Sequence, residues 1–143
     1  MRPMELGDPG LRYRMRRALR HIGEQHRQLR EIQGRLDAAV SADDRENLRD
    51  AFLRYRHAIG AHFELEDGVF FPALHGLHPD ERDPLEALSG EHVGLLAELQ
   101  RLAPLVDAPA LDGFGAALSE FRRGLGEHER REESLVGRIT QVG

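Results

Sequence analysis

Two ionisable residues, His62 and Glu66, fall on the apolar face of a predicted helix. Because they are four residues apart, their side chains lie on one side of the helix, one turn from each other. The spacing of apolar residues gives this face as Ile59, His62, Glu66, Val69 and Pro72. An imidazole and a carboxylate buried without partners would cost several kcal/mol. The pattern therefore predicts that another group shares this place, and a metal cation is the simplest candidate.

The same combination recurs along the chain. His128 and Glu132 repeat the His-x-x-x-Glu spacing, and His26 and His92 each replace one apolar residue in a periodic stripe. A single inward histidine is usually a hydrogen-bonded core residue, and a single inward glutamate often pairs with arginine. Four inward histidines and two inward glutamates, with no inward Lys or Arg beside them, favour a metal site over a structural polar network. Inward side chains of bundle helices are the usual source of dinuclear carboxylate sites.

Four amphipathic patterns carry these residues, and each repeats apolar residues at spacings of three and four, the period of a helix with one buried face. The predicted stripes are Met15, Leu19, Ile22, His26, Leu29, Ile32, Leu36 and Val40; Leu48, Phe52, Tyr55, Ile59, His62, Glu66 and Val69; Leu85, Leu88, His92, Leu95, Leu99 and Leu102; and Leu111, Phe114, Leu118, Phe121, Leu125, His128, Glu132, Leu135 and Ile139. Strand signals are absent from the sequence. We expect an all-α protein, an up-down-up-down four-helix bundle.

Capping residues and prolines predict where these helices begin and end. In chain order, the predicted features are an N-cap at Asp8, a capping box of Ser41 and Asp44, a kink at Pro72, a loop over residues 74–82, an N-cap at Asp83 and a loop between Pro104 and Pro109. The connections are short, which is why consecutive helices are expected to run antiparallel.

The composition limits the class of protein. At 143 residues the chain can bury a real core, so we expect a single domain over residues 1–143. The formal net charge of −5 comes from mixed acids and arginines without a basic block, so nucleic acid is not an expected partner. No apolar run approaches the ~18 residues of a membrane span, and the first residues lack the apolar region of a secretory signal. With no cysteine in the chain, this predicts a cytoplasmic protein without a membrane partner.

Without cysteine, the candidate ligands are imidazole nitrogens and carboxylate oxygens, a donor set that suits iron, manganese or zinc. Two carboxylates able to bridge, with two imidazoles for each ion, suit a pair of irons and leave room for an oxo or hydroxo bridge and an exogenous ligand. Six ligands are too many for one structural zinc ion. Ferritin-like proteins place Glu-x-x-His on two helices and zinc proteases use His-Glu-x-x-His, and the sequence contains neither motif.

As an ordered set, these motifs resemble the hemerythrin-like HHE cation-binding family. The resemblance rests on His62-Phe-Glu-Leu-Glu66-Asp67 followed by Phe71-Pro72, on His26 upstream, and on Glu91-His92 and His128-x-x-x-Glu132-Glu133 downstream. It covers about residues 12–139 and implies a four-helix bundle around a non-haem di-iron centre with two Fe ions. Carried over by position, it implies that His26 and His62 ligate one iron, that His92 and His128 ligate the other, and that Glu66 and Glu132 bridge them.

Two departures from the family pattern bear on function. Oxygen-carrying hemerythrins have a fifth histidine one turn before the residue corresponding to His92, and Leu88 stands there in this chain. Some bacterial relatives present a tyrosine near the end of the second helix, where this chain has Phe70 and Phe71. Water or a remaining histidine could take the missing place, although surface or loop positions are expected for those histidines, which are His21, His57, His75 and His78.

Three further residues have two readings each. Asp67 and Glu133, which directly follow the two inward glutamates, are expected either to orient histidines or to pair with arginine on the helix surface. Tyr55, two turns before His62, is expected in the core, or else as a hydrogen-bond donor above the site.

A centre with fewer protein ligands argues against a dedicated oxygen carrier. We therefore expect a di-iron protein that binds or reacts with dioxygen or a peroxide, either as a peroxide-decomposing protein with catalase- or peroxidase-like activity or as a redox- or oxygen-responsive protein in oxidative stress. The alternatives are an oxygen- or nitric oxide-binding module, or an iron-sensing or iron-storage module, without turnover. A metal-free helical interaction module is a third class. The expected partner is O2, H2O2 or NO, and the expected assembly is a monomer or a homodimer.

Overall fold

The computed structural model describes residues 9–142, with side chains described for 9–140, and this part of the chain is helical without a β-strand. The elements are the helices α1 (Pro9–Ala42), α2 (Arg45–Leu65), α3 (Phe71–Leu77), α4 (Arg82–Leu102) and α5 (Asp112–Val142), the π-helical turn Glu66–Phe70, and the 3-10 turns Pro79–Glu81 and Ala103–Asp107. Helix α1 packs on α2, and α4 packs on α5. With α2, the π turn and α3 as one interrupted helix, the predicted all-α four-helix bundle is confirmed.

A buried polar layer divides the hydrophobic core into a larger and a smaller part. On α4, Leu88 belongs to the smaller part and Leu95 to the larger part, with the buried His92 between them. In the other long helices, too, ionisable residues lie between the two parts of the core: His26 on the first, His62 and Glu66 on the second, and His128 and Glu132 on the last. Packing of the four helices therefore brings these side chains to one level of the bundle.

The turn between α1 and α2 closes the end of the bundle that contains the larger core. Asp43 has a φ of 52°, a left-handed conformation that Asp tolerates better than most residues. The side chain of Asp44 then accepts a hydrogen bond from the backbone N–H of Asn47 at 3.2 Å. The predicted capping box is wrong, because α1 continues through Ser41 and Asp44 is itself the N-cap of α2.

The second long helix changes register just before Pro72. The backbone N–H of Phe71 donates to the carbonyl of Glu66, five residues back, as in a π-helix. Pro72 has no N–H, and its ring would clash with the carbonyl four residues back in a regular α-helix, so the wider turn accommodates it. The π turn contains one residue more than an α-helical turn, which shifts the buried face by one position, so that Val69 is 38% exposed and Phe70 is 1% exposed. The predicted kink thus takes the form of a π turn, and the predicted burial of Val69 and Pro72 is wrong.

The predicted loop over 74–82 is mostly helical. Helix α3 runs through the first half of it, and a 3-10 turn leads into α4. Leu74 is fully buried in the smaller core, and α3 packs on α1, so tertiary packing outweighs the weak helix propensity of the nearby Gly and Pro. Because that 3-10 turn already aligns the chain, α4 begins at Arg82, and the predicted N-cap Asp83 lies inside its first turn.

Three smaller predictions concern the outer parts of the bundle. Leu19 is 37% exposed, because the buried face of α1 passes through the smaller Ala18 instead. The predicted loop between Pro104 and Pro109 contains the 3-10 turn that ends at Asp107. The predicted N-cap Asp8 lies outside the described residues. None of the described helices is long and apolar enough to cross a membrane.

Candidate metal centre

The bundle brings five of the six predicted ligands into one buried layer. These residues have between 0% and 7% of their surface exposed, and they are His62, Glu66, His92, His128 and Glu132. The sixth, His26, lies beside the layer, with its ring centroid 4.9 Å from that of His62 and its side chain 30% exposed. The six residues come from all four long helices, so helix packing rather than local chain geometry assembles them.

Two groups of three ligand atoms within the layer could each hold a metal ion. The groups are Glu66, His92 and His128, and His62, Glu66 and Glu132, and the ligand atoms of each lie within 4.8 Å of one another. Glu66 belongs to both, with Oε1 2.9 Å from Nε2 of His92 and Oε2 3.4 Å from Nε2 of His62. Glu66 is fully buried beside the carboxyl group of Glu132, and neither of its oxygens makes a well-formed hydrogen bond within residues 9–142. Because an unpaired buried carboxylate is costly, a cation on either side of Glu66 would balance the arrangement.

Each of the three buried histidines has its outer nitrogen, Nδ1, close to an oxygen. The pairs are His62 with Gln25 at 2.9 Å, His92 with Asp67 at 3.0 Å, and His128 with Glu91 at 2.6 Å. Amide and carboxylate oxygens accept hydrogen bonds, so we assign the ring proton to Nδ1, which leaves the lone pair of Nε2 facing the layer. Metal-binding histidines are oriented in the same way, through a hydrogen bond from the ring nitrogen that does not bind the metal.

The inner nitrogens of His92 and His128 lie only 3.1 Å apart. With both ring protons on Nδ1, two nitrogen lone pairs face each other at this distance and repel. A metal cation or a shared proton among these atoms would remove the repulsion. Since Glu66 lies against the same nitrogen of His92, a cation would also meet an unpaired carboxylate oxygen there.

Burial determines which of these groups carry charge. Loss of solvation raises the pKa of Glu66 to about 7, and loss of solvation together with the neighbouring Glu66 raises the pKa of Glu132 to about 9. Loss of solvation, followed by the charges of the other histidines, lowers the pKa of His62 to about 3. Without a metal ion, Glu132 and His62 are therefore neutral near pH 7, and Glu66 is about half ionised. A divalent cation reverses this for the acids, because metal ligands have to be deprotonated.

A second set of contacts fixes the partners of His92 and His128. Ser89 donates from Oγ to Asp67 at 2.7 Å. Arg131 donates two hydrogen bonds of 3.1 Å to the carboxylate of Glu91, a bidentate pair. The ring of Phe63 stacks on that of His92 with centroids 3.9 Å apart and an angle of 10° between the planes. The orientation of both imidazoles is therefore held from outside the layer.

The edge of the layer near His26 is more open. Nε2 of His26 lies 3.8 Å from Oε2 of Glu129, and the two side chains are 30% and 33% exposed. Both residues line a cavity of about 210 Å³ beside α1 and α5, together with Arg30, Gln33 and Glu133. Loss of solvation, followed by the charge of Glu133, raises the pKa of Glu129. His26 therefore adjoins a cavity that is open to solvent.

The sequence model of the Hemerythrin HHE cation binding domain matches residues 17–139, which include all six residues. The chain belongs to the hemerythrin HHE family. Searches of curated proteins and of solved structures found no significant match. For a hemerythrin HHE domain, membership implies binding of a metal cation, and the two His/Glu groups of the layer could hold it.

At the position where oxygen-carrying hemerythrins have a fifth histidine, this HHE domain has the apolar side chain of a leucine. Leu88 is 4% exposed and packs in the smaller core. The remaining histidines do not belong to either metal-binding group among the described residues: three are exposed and one is half-buried, namely His21, His57, His75 and His78. The candidate protein ligands are therefore the five residues of the buried layer and His26 at its edge.

For three residues around the HHE site, the sequence left two possible roles open. Asp67 contacts His92, as the orienting reading requires, whereas Glu133 is exposed and contacts no histidine among the described side chains. Tyr55 is fully buried in the larger core, and its hydroxyl accepts a hydrogen bond from Gln33 at 3.1 Å. Tyr55 is therefore a core residue of the bundle.

Sequence reasoning missed two polar residues, Gln25 and Glu129. Each directly adjoins a predicted ligand in the chain, Gln25 before His26 and Glu129 after His128, but each contacts a different histidine on another helix. Adjacency to a ligand was the one available signal, and it does not tell which helix the side chain reaches.

Proposed function

We propose that this hemerythrin HHE protein holds two iron ions and reacts with dioxygen or a peroxide. One observation carries the proposal: the buried Glu66 takes part in both ligand groups, with one oxygen beside His92 and the other beside His62. One ion would be held by His92 and His128, and the other by His26 and His62, with Glu66 and Glu132 shared between them. A carboxylate that serves two neighbouring cations explains why its negative charge is buried between two sets of imidazoles.

The donor set supports iron rather than a structural zinc ion. Imidazole nitrogens and carboxylate oxygens suit iron, and the layer offers more ligands than one tetrahedral zinc ion takes. Iron in this place would supply the electron transfer that reduction of dioxygen or decomposition of a peroxide requires. The chain's own part is to bind and orient: Asp67 and Glu91 hold the ring protons of His92 and His128 on Nδ1, and Phe63 covers one face of His92 against water.

A peroxide assay with matched variants tests the reaction. The iron-loaded protein is expected to release oxygen from hydrogen peroxide faster than the same amount of free iron. His62→Ala and Glu132→Gln, which remove buried ligands, are expected to lose iron and activity together. His57→Ala is the control, because His57 is exposed and outside both ligand groups. Activity that persists in His62→Ala, or that falls equally in His57→Ala, would contradict the proposal.

The openness of the edge at His26 favours a second candidate, an iron-sensing or iron-storage module, or an oxygen- or nitric oxide-binding module, without turnover. A ligand that is 30% exposed beside a solvent-connected cavity gives an ion a route out of the bundle. This candidate predicts a visible spectrum that changes when dioxygen or nitric oxide is added, with no release of oxygen from peroxide. We also propose the cytoplasm as the location, because a chain without cysteine needs no oxidising compartment.

A further inference from the structure

His26 and Glu129 face each other at a distance that is too long for a hydrogen bond. Nε2 of His26 and Oε2 of Glu129 are 3.8 Å apart. Nε2 of His26 is itself inaccessible to solvent and has no hydrogen-bond partner among the described residues. Two ligand atoms that each lie about 2.1 Å from one metal ion are about 3–4 Å apart. The separation between these two atoms therefore fits a pair that shares a cation.

The distribution of charge around the layer points to the same residue. The outer partners of His92 and His128 are carboxylates, Asp67 and Glu91, whereas the outer partner of His62 is the neutral amide of Gln25. A cation held near His92 and His128 would thus have two acids behind its imidazoles, and one held near His62 would have none. Glu129 is the acid that lies on this other side, within reach of His26.

The position of Glu129 also suits a ligand that can be reached from solvent. Its side chain is 33% exposed, and it lines the cavity of about 210 Å³ beside His26. Its own helix presents His128 and Glu132 to the layer, and Glu129 follows directly after His128 in the chain.

We propose that Glu129 is a further metal ligand, which supplies a carboxylate oxygen to the ion nearest His26. The inference rests on the proposed two-ion centre and adds a third acid to it. The competing role is a surface ion pair with His26 that only holds α1 against α5.

Two variants with the same change of charge separate these roles. Glu129→Gln and Glu133→Gln each remove one negative charge from α5, one turn apart, at the same cavity. Iron(II) is titrated into each protein without oxygen, in competition with a chelator. Glu129→Gln is expected to lower the affinity for one of the two iron ions by at least about tenfold and to leave the affinity for the other unchanged. Glu133→Gln is expected to change both affinities by less than about threefold. Equal effects of the two substitutions, or no effect of Glu129→Gln, would overturn the proposal.

The melting temperature of the metal-free protein gives a second readout. Because Glu129 makes no hydrogen bond to His26 in the metal-free protein, metal-free Glu129→Gln is expected to melt within about 2 °C of the wild type. A larger drop in the metal-free variant would show the structural ion pair instead and would overturn the proposal. Failure of the two-ion centre itself is distinguishable, because the wild-type protein would then take up no second iron, whatever residue stands at position 129.

Discussion

The two sides of the buried layer hold their histidines in different ways. On one side, His92 and His128 are 2% and 1% exposed, and each binds a carboxylate through its outer nitrogen. On the other side, His62 binds the neutral Gln25, and the side chain of His26 is 30% exposed. The same ligand type thus occupies a closed and charged setting on one side and an open and mostly neutral setting on the other.

This difference predicts unequal metal positions. A carboxylate partner makes an imidazole a stronger donor and fixes its ring, so the side of His92 and His128 should bind its ion more tightly and exchange it more slowly. The side of His62 and His26 should exchange its ion through the cavity at Glu129. In the proposed two-ion centre, the closed side would then retain its metal ion, and the open side would give access to an exogenous ligand or an incoming ion.

The largest expected effect comes from removing a ligand on the closed side. His92→Ala is expected to lower the affinity for the more tightly bound iron ion by more than about 100-fold. Loss of a hydrogen-bond partner of a metal ligand already lowers metal affinity by about 10–100-fold. His26→Ala should weaken only the looser equivalent and by less, because its ring is partly solvated. Titration of iron(II) against a chelator measures both. If His26→Ala removed the tighter equivalent, the two sides would not differ as described.

A smaller effect is expected from the outer partners. Asp67→Asn keeps a hydrogen-bond acceptor for His92 but removes its charge, and it should speed release of the tighter iron to a chelator by about tenfold. Gln25→Ala removes a neutral partner of His62 and should speed only the faster phase of release, by less than about tenfold. Stopped-flow measurement with a coloured chelator resolves the two phases. A single phase that responds equally to both substitutions would argue for two equivalent sides.

The buried acids predict how the metal-free protein responds to pH. The pKa of Glu132 in the folded chain, about 9, and that of Glu66, about 7, lie above the usual value for Glu, so the folded state binds the extra protons. This stability is fully present below the unfolded pKa and is lost as pH rises through the folded pKa. His62, with a folded pKa of about 3, acts in the opposite sense but only below about pH 6.5. We expect the free energy of unfolding to fall by about 3 kcal/mol between about pH 6.5 and about pH 8.5.

Urea denaturation at several pH values measures this effect. Glu132→Gln should flatten the dependence, because the substituted amide does not titrate. Bound iron should remove the loss, since the acids are then deprotonated as ligands. Stability of the metal-free protein that rises over the same range would contradict the assignment of a buried acid pair.

The smallest expected effect concerns the stacked ring on the closed side. Phe63→Leu removes the stack on His92 and should destabilise the fold by about 1–2 kcal/mol and weaken the tighter iron by about threefold. Phe52→Leu is the matched control, because Phe52 is 3% exposed in the larger core and packs edge-to-face on Phe114 instead of on a histidine. It should destabilise the fold similarly without changing iron affinity. An equal loss of iron affinity in both variants would mean that the stack has no specific role.

The helical period made the fold and the position of the layer predictable. Polar interruptions such as His92 within an otherwise apolar stripe are local signals, and each helix carries its own. Because the interruptions fall at matching depths of four helices, the sequence indicates the level of the bundle at which they meet. The confirmed four-helix bundle follows from the same period.

Rotations and contacts between helices were not predictable in the same way. The π turn, which buries Phe70 instead of Val69, depends on how the chain accommodates Pro72. The spacing of apolar residues does not predict it. The pairing of Gln25 with His62 and of Glu129 with His26 depends on the rotation of one helix against another. Sequence spacing places residues on a face, whereas the outer partners of a site depend on side-chain geometry across faces.

The number of iron ions bound at saturation tests the central claim most directly. Anaerobic titration of the metal-free protein with iron(II), followed by removal of unbound metal, should leave about two iron ions per chain, and His62→Ala should reduce this number. A chain that retains no iron, or that shows the same fold and stability after thorough chelation as before, would contradict the account of the buried layer as a two-metal site.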